Sequence, residues 1–283
     1  MAAWHLFRLL RPKQWVKNFF VFAPLLFAGD FAVQVSWVSS IWAFLYFCLA
    51  ASCVYVLNDL TDIDADKTHP IKSLTRPLAS GHVSVRVASV ALAFGFAGLL
   101  TALFVLPSVV IPIGGYIVIN VIYSLFARKV PVLDIFTIAF GFVLRVVAGA
   151  VAIGEPLSAW MFVTTLCLAL YLAAMKRRHE LKNLGAKSRS SLESYTVAVV
   201  ERFAEISATA ALVCYAIFVV TVKAMLIYTI PIVAFGLFRY WFIAEKLKTA
   251  ESPTEAMLRD WQLVAAVLLW VGVCGGVLLF AGH

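Results

Sequence analysis

The chain has 283 residues, of which 63% are hydrophobic and only 13% charged, with a mean hydropathy of +0.95. That balance excludes an ordinary soluble domain and predicts a polytopic membrane protein. The net charge of +8 does not point to nucleic acid, because the basic residues follow membrane topology and no soluble stretch is long enough to hold a duplex.

A bilayer core of about 30 Å takes roughly 20 apolar residues per helix. In chain order the predicted spans are about 19–36, 38–57, 86–106, 108–126, 132–153, 158–175, 203–222, 225–244 and 261–281, nine transmembrane helices in all. Charge supports the count. Arg8, Arg11, Lys13 and Lys17 precede the first span, Lys67, Lys72 and Arg76 follow the second, and Arg128 and Lys129 follow the fourth. Lys176, Arg177, Arg178, Lys182, Lys187, Arg189 and Arg202 follow the sixth, and Lys246, Lys248 and Arg259 the eighth. All of these segments fall on one face, against Lys223, Asp30 and Glu155 on the other. The positive-inside rule makes that face, and the N-terminus, cytoplasmic and the C-terminus external.

Arg11-Pro12-Lys13-Gln14-Trp15 leads into a full span and not into a cleavable signal. Cys48, Cys53, Cys167, Cys214 and Cys274 all lie in apolar runs without metal spacing and read as small core residues. Two long connections, 58–85 and 176–202, each follow an even-numbered span. Their spacing suggests a duplicated four-helix unit plus one extra helix within a single domain, 1–283.

The first long connection opens with Asn58-Asp59-Leu60-Thr61-Asp62-Ile63-Asp64-Ala65-Asp66. Carboxylates this dense at a membrane boundary repel one another unless a cation compensates them. At about 100° per residue, Asn58, Asp59, Asp62 and Asp66 share one arc of a continued helix and Asp64 points away. Mg²⁺ takes one or two protein carboxylates and completes its shell with water and substrate phosphates, which suits a diphosphate. Arg76 follows as the best candidate for bidentate phosphate contact. Lys67 and Lys72 read equally well as topology charges, and His69 as a loop residue.

Further along, Arg145 sits roughly 16 Å deeper than Asp134 on the same helix and within about 20° of its face. An intramembrane arginine is a functional candidate, and the two residues are expected to line one polar cavity. Asp134 reads either as a ligand for ribose hydroxyls or as a partner that orients Lys129. Lys176 and Glu180 are spaced to share a helix face, and the segment runs on to Ser194 and Tyr195, which topology alone does not explain. Trp15 is an ordinary interfacial anchor, while Lys17 and Asn18 are candidate ligands for a phosphate at the membrane surface.

The Asn-Asp-x-x-Asp-x-x-x-Asp motif after the second span, followed by Arg76-Pro77-Leu78-Ala79-Ser80-Gly81, resembles the UbiA superfamily of intramembrane prenyltransferases over essentially the whole chain. The resemblance implies an all-α membrane bundle, four plus four plus one helices, in which two aspartate-rich loops hold a diphosphate through Mg²⁺ and an isoprenoid lies among the helices. The second loop departs from that pattern: Lys176-Arg177-Arg178-His179-Glu180 stands where an Asp-x-x-x-Asp pair is expected. In this the chain is similar to the polyprenyl-phosphate phosphoribosyltransferase branch. That branch carries Arg-Pro-x-Gln-Trp-x-Lys-Asn, here residues 11–18, and Ser-Leu-Glu-Ser-Tyr-Thr, here residues 191–196, with Leu258-Arg259-Asp260 also in the expected place.

The branch implies transfer of 5-phosphoribosyl from phosphoribosyl diphosphate (PRPP) to a polyprenyl phosphate, a pentose donor for cell-envelope glycans, at the cytoplasmic side of the inner membrane. Asp59, Asp62 and Asp66 become the catalytic carboxylates, with Asn58 and Glu180 as further metal ligands. Arg76, Lys176 and Arg177 are implied for the donor phosphates, with Lys17, Tyr123, Lys129 and Arg145 open to either phosphate. A swap of carboxylates for cations fits a site that holds more anionic groups. Two rivals stand: a prenyltransferase using a prenyl diphosphate, and a transporter or flippase of phosphorylated lipid. A homo-oligomer is compatible with the sequence but not specified by it.

Overall fold

The computed structural model describes residues 2–28, 33–68, 72–184, 190–246 and 259–281, and among these all regular structure is helical. Asp30, His69, Lys187, Arg189, Lys248 and Leu258 lie outside the described residues. In chain order the α-helices are α1 (Ala2–Leu9), α2 (Ala23–Ala28), α3 (Gln34–Thr61), α4 (Ile63–Thr68), α5 (Lys72–Thr75), α6 (Val85–Leu100) and α7 (Ala102–Val105). There follow α8 (Val110–Leu125), α9 (Leu133–Ile153), α10 (Ala159–Leu184), α11 (Val197–Val222), α12 (Ile230–Lys246) and α13 (Trp261–Ala281). Among the described residues, 8 helical spans are long and apolar enough to cross a bilayer, the first being α3 and the last within α13. The protein is a multi-pass membrane protein.

The expected first span, 19–36, takes a different form. It is a 3-10 segment, Pro12–Phe22, leading directly into the short α2. Pro12 and Pro24 each lack the N–H that a continuous helix uses. This segment is drawn into the bundle: Asn18, Val21, Pro24, Leu25 and Phe27 are buried. Gly149 of α9 permits the approach, since a Cβ there lies 1.9 Å from the Val21 carbonyl oxygen.

Of the helices that outrun the predicted boundaries, two carry motifs. α3 runs 28 residues, about 42 Å at 1.5 Å per residue, so its last turn stands past a core of about 30 Å. Asp62 ends it, yet the Asp62 N–H bonds the Asn58 carbonyl at 3.0 Å and the Asp66 N–H bonds the Asp62 carbonyl at 2.8 Å. The helical register therefore carries on into α4. α10 was expected to stop near 175 and runs to Leu184, which puts Lys176 to Glu180 on a helix and not at the start of a loop. Ser84 and Thr196 start α6 and α11 as N-caps, each accepting from the N–H three residues on at 3.3 Å.

One apolar core joins α3, α8, α9 and Val21, and a second joins α10, α11, α12 with Leu192 and Tyr195. α9 packs against α3 and α8 on one side and α10 on the other, so it carries Asp134 and Arg145 between the two motif helices. The five cysteines are all unpaired, with Cys48, Cys53 and Cys274 buried, as expected of core residues.

Candidate active site

Asn58, Asp59, Asp62 and Asp66 stand along the end of α3 and α4, and each is matched by a polar or cationic partner. Asp59, buried, accepts through Oδ1 from Arg76 Nη1 at 3.0 Å and from Arg11 Nη2. The same Arg76 Nη1 donates to Asp66 Oδ2, and Lys72 Nζ stands 3.3 Å from Asp66 Oδ1. Arg128 Nη1 donates to both oxygens of Asp62, at 2.9 and 3.2 Å. Ser124 Oγ donates to Asn58 Oδ1 at 2.7 Å. Asp64 is turned away, its side chain exposed and 3.8 Å from Lys67, as the helical arc predicts.

Backbone geometry aims one of these cations. Arg11 has φ 52°, ψ 56°, the left-handed region, which a non-glycine residue occupies only when surroundings hold it there. That turn between α1 and the Pro12–Phe22 segment sends its guanidinium over the Tyr55 ring, 4.9 Å from the centroid, and onto Asp59.

The donor set suits Mg²⁺ in kind, being hard carboxylate oxygens. Asp59 Oδ2 is buried with no hydrogen-bond partner among the described residues, an orphan acceptor that a cation would complete. Among the described residues, however, no three acidic, His or Cys side chains converge on one point, and Arg76 Nη1 already lies between Asp59 and Asp66. The geometry fits a metal shared between one or two carboxylates and substrate phosphates, not a closed protein cage.

On α10, Arg177 is fully buried and spends its guanidinium on the protein. Its Nε stands 2.8 Å from Asp134 Oδ2, its Nη1 pairs with Glu180, and its Nη2 donates to Tyr123 Oη at 2.8 Å. Tyr195 Oη donates to Asp134 Oδ1 at 2.9 Å and accepts from the Val132 N–H. Val132 has φ 69°, a strained value for a β-branched residue, and this hydrogen bond helps hold it. Burial pushes the Tyr195 hydroxyl well above the usual tyrosine range, so it remains a neutral donor. Asp134, Tyr123, Arg177 and Tyr195, expected at the substrate, and Glu180, expected at the metal, are thus joined in one internal network.

Arg145 is buried in α9 and lies in a second network. It donates through Nε to Asn18 Oδ1 at 2.7 Å, through Nη1 to the Gly141 carbonyl at 2.6 Å and through Nη2 to Tyr116 Oη at 3.2 Å. Its guanidinium carbon is 4.7 Å from the Tyr116 ring centroid and 5.3 Å from that of Phe142. Asn18 in turn donates to Cys48 Sγ at 3.2 Å. Arg145 has no carboxylate partner among the described residues, so its charge is uncompensated. Asp134 and Arg145 do not meet in one polar cluster: each is taken up by a different network.

Lys17 and Lys176 differ from every cation above. Neither has a hydrogen-bond or ion-pair partner among the described residues; Lys17 is half-buried and Lys176 exposed. Burial, with the charges of Arg145 and Arg11, lowers the Lys17 ammonium to about 8. Lys129 and Ser194 are exposed.

Residues 18–264 match the sequence profile of the UbiA prenyltransferase family. The chain belongs to that family. Among its relatives is the decaprenyl-phosphate phosphoribosyltransferase of Mycolicibacterium smegmatis, 34% identical over 299 residues, covering 98% of this chain and 93% of that protein. The protein of the same name from Corynebacterium glutamicum is 36% identical over 284 residues, covering 93% and 83%. A UbiA homologue from Archaeoglobus fulgidus, solved with GPP and Mg²⁺, superposes with a TM-score of 0.72 over 97% of this chain and 99% of that one. At 20% identity that likeness shows the shared UbiA fold.

Within this UbiA fold, sequence reasoning placed the aspartates and Arg76 together correctly but read Arg11 and Arg128 as topology charges. Their partners Asp59 and Asp62 are 48 and 66 residues away in sequence. The only signal for Arg11 was its place at the head of the residue 11–18 motif. Arg177 generates a direct expectation. Arg177→Met removes the cation from the buried Asp134 carboxylate and from the half-buried Glu180, and loss of one partner of a buried pair costs about 3–5 kcal/mol. The melting midpoint in detergent should fall steeply, and Asp134→Asn added to Arg177→Met should recover part of the loss. A single variant that melts like the wild type contradicts the network.

Proposed function

We propose that this chain transfers 5-phosphoribosyl from PRPP to a polyprenyl phosphate, releasing diphosphate, with its aspartate-bearing face toward the cytoplasm where PRPP is dissolved. One observation carries the reading. Relatives named for this activity match nearly end to end, and the second motif of this chain offers an unpaired Lys176 where a second metal-binding aspartate pair would serve a prenyl diphosphate alone. Cations around the site, Arg11, Lys17, Lys72, Arg76, Arg128 and Lys176, outnumber the carboxylates they face, which suits a donor with a diphosphate and a 5-phosphate together with a phosphorylated acceptor.

One or two of the carboxylates Asp59, Asp62 and Asp66, with Asn58 beside them, would hold Mg²⁺; the ion would supply Lewis-acid stabilisation of charge on the departing diphosphate. Arg76 gives up its carboxylates for phosphate oxygens of the donor, which a guanidinium binds as well as it binds carboxylate. An oxygen of the acceptor phosphate forms a bond to ribose C1 as the C1–O bond to diphosphate breaks on the opposite face. No proton moves, because the acceptor is already an anion and the leaving group departs as one. Lys17 and Lys176 take the phosphates that the diphosphate site does not, the acceptor's oxyanion among them. Glu180 and Arg177 hold α10 in register through Asp134 and Tyr123.

Purified protein given Mg²⁺, polyprenyl phosphate and labelled PRPP should move label into the lipid. Asp62→Ala, at a half-exposed position, should cut turnover by about a hundredfold or more with an unchanged melting midpoint. Consumption of a prenyl diphosphate with no label in the lipid contradicts the reading. The pH profile tests Lys17 separately. Its pKa is depressed, so the free protein carries the charge below about 8 and loses it above. The kcat/KM for the substrate it holds should fall as pH rises past that value, and Lys17→Arg should remove the fall.

A further inference from the structure

α1, α3 and α6 border an open groove. Two adjoining hollows of about 390 and 320 Å³ share Leu6, Ala91 and Phe94 as walls, and almost no polar surface reaches either. At its deep end a Cβ on Gly95 meets Cys53 Sγ at 2.5 Å, so α6 and α3 close against each other there. The other hollow is bordered by Arg86, in the first turn of α6. Arg86 is exposed and has no hydrogen-bond or ion-pair partner among the described residues.

The groove is joined to the site by its wall. Leu6 and Leu10 come from the segment that turns at Arg11 onto Asp59, and Arg8 ties α1 to the Thr75 carbonyl, one residue before Arg76, at 3.1 Å. Ser52 on the groove floor accepts from Trp15 Nε1 and donates to the Leu10 carbonyl, both at 3.0 Å. A ligand in the groove would touch Leu6 and Leu10, on the segment that leads into Arg11.

We propose that the groove binds one chain of an anionic phospholipid from the surrounding leaflet, with the lipid phosphate on Arg86, and that this lipid holds α1 in place. Apolar walls ending in a single uncompensated guanidinium match a hydrocarbon chain ending in a phosphodiester. A guanidinium engages phosphate oxygens bidentately, and basic pockets between membrane helices take anionic head groups. The inference does not depend on which reaction the aspartates serve.

The test is native mass spectrometry of the full chain after incubation with phosphatidylglycerol or phosphatidylcholine, alongside its melting midpoint. Phosphatidylglycerol should be retained over phosphatidylcholine by about fivefold, the factor one arginine near an anionic head group contributes, and should raise the midpoint. Arg86→Gln, a surface change, should abolish the preference; Ala91→Phe, which fills the groove, should reduce retention of both lipids. Equal preference in wild type and Arg86→Gln overturns the proposal. So does a result in which polyprenyl phosphate, and not phosphatidylglycerol, is the lipid whose retention depends on Arg86, since the groove then belongs to the acceptor.

Discussion

A single guanidinium nitrogen of Arg76 compensates two carboxylates, Asp59 and Asp66, at the point where α3 leaves the membrane. Unit charges 4 Å apart interact by about 4 kcal/mol at the effective dielectric of a protein surface, so the acidic face cannot assemble without such a cation. Much of the local architecture answers to this requirement. α3 runs past the bilayer to carry the aspartates out, the backbone at Arg11 adopts a left-handed turn to deliver a second guanidinium, and Arg128 reaches over from the connection after α8. On the proposed reading the same arrangement would exchange partners, the arginines taking phosphate oxygens as the carboxylates turn to a divalent ion.

The remaining cations divide by whether the protein uses them up. Arg177 is consumed by Asp134, Glu180 and Tyr123 and works as a rivet between α9 and α10. Arg145 is saturated by Asn18, Gly141 and Tyr116 yet keeps a net positive charge, which lowers the pKa of Lys17. Among the described residues, Lys17 and Lys176 combine position near the motifs with freedom from any ion pair. A charged residue expected at a substrate thus turns out to be structural, electrostatic or free according to what its hydrogen bonds leave over, and sequence spacing does not reveal that.

Local order was legible in the residues. A 3.6-residue period places Asn58, Asp59, Asp62 and Asp66 on one face whatever the tertiary context, and hydropathy located the eight long spans. Two things were not legible. The broken first segment depends on Gly149 admitting the Val21 carbonyl, a contact between distant parts of the chain. The pairings of Arg145 with Asn18, 127 residues away, and of Arg11 with Asp59 likewise depend on how helices pack. Helical arithmetic put Asp134 and Arg145 on one face, and that was insufficient: different neighbours met the two ends of the same face.

The central claim is that the arginine bridges across the aspartates stand where the donor's diphosphate and its metal bind. Determining the structure with PRPP and Mg²⁺ tests this most directly. The account predicts that Arg76 leaves Asp59 and Asp66 for donor phosphate oxygens while those carboxylates turn to the ion. An Arg76 bridge that persists intact, with PRPP bound elsewhere on the protein, contradicts it.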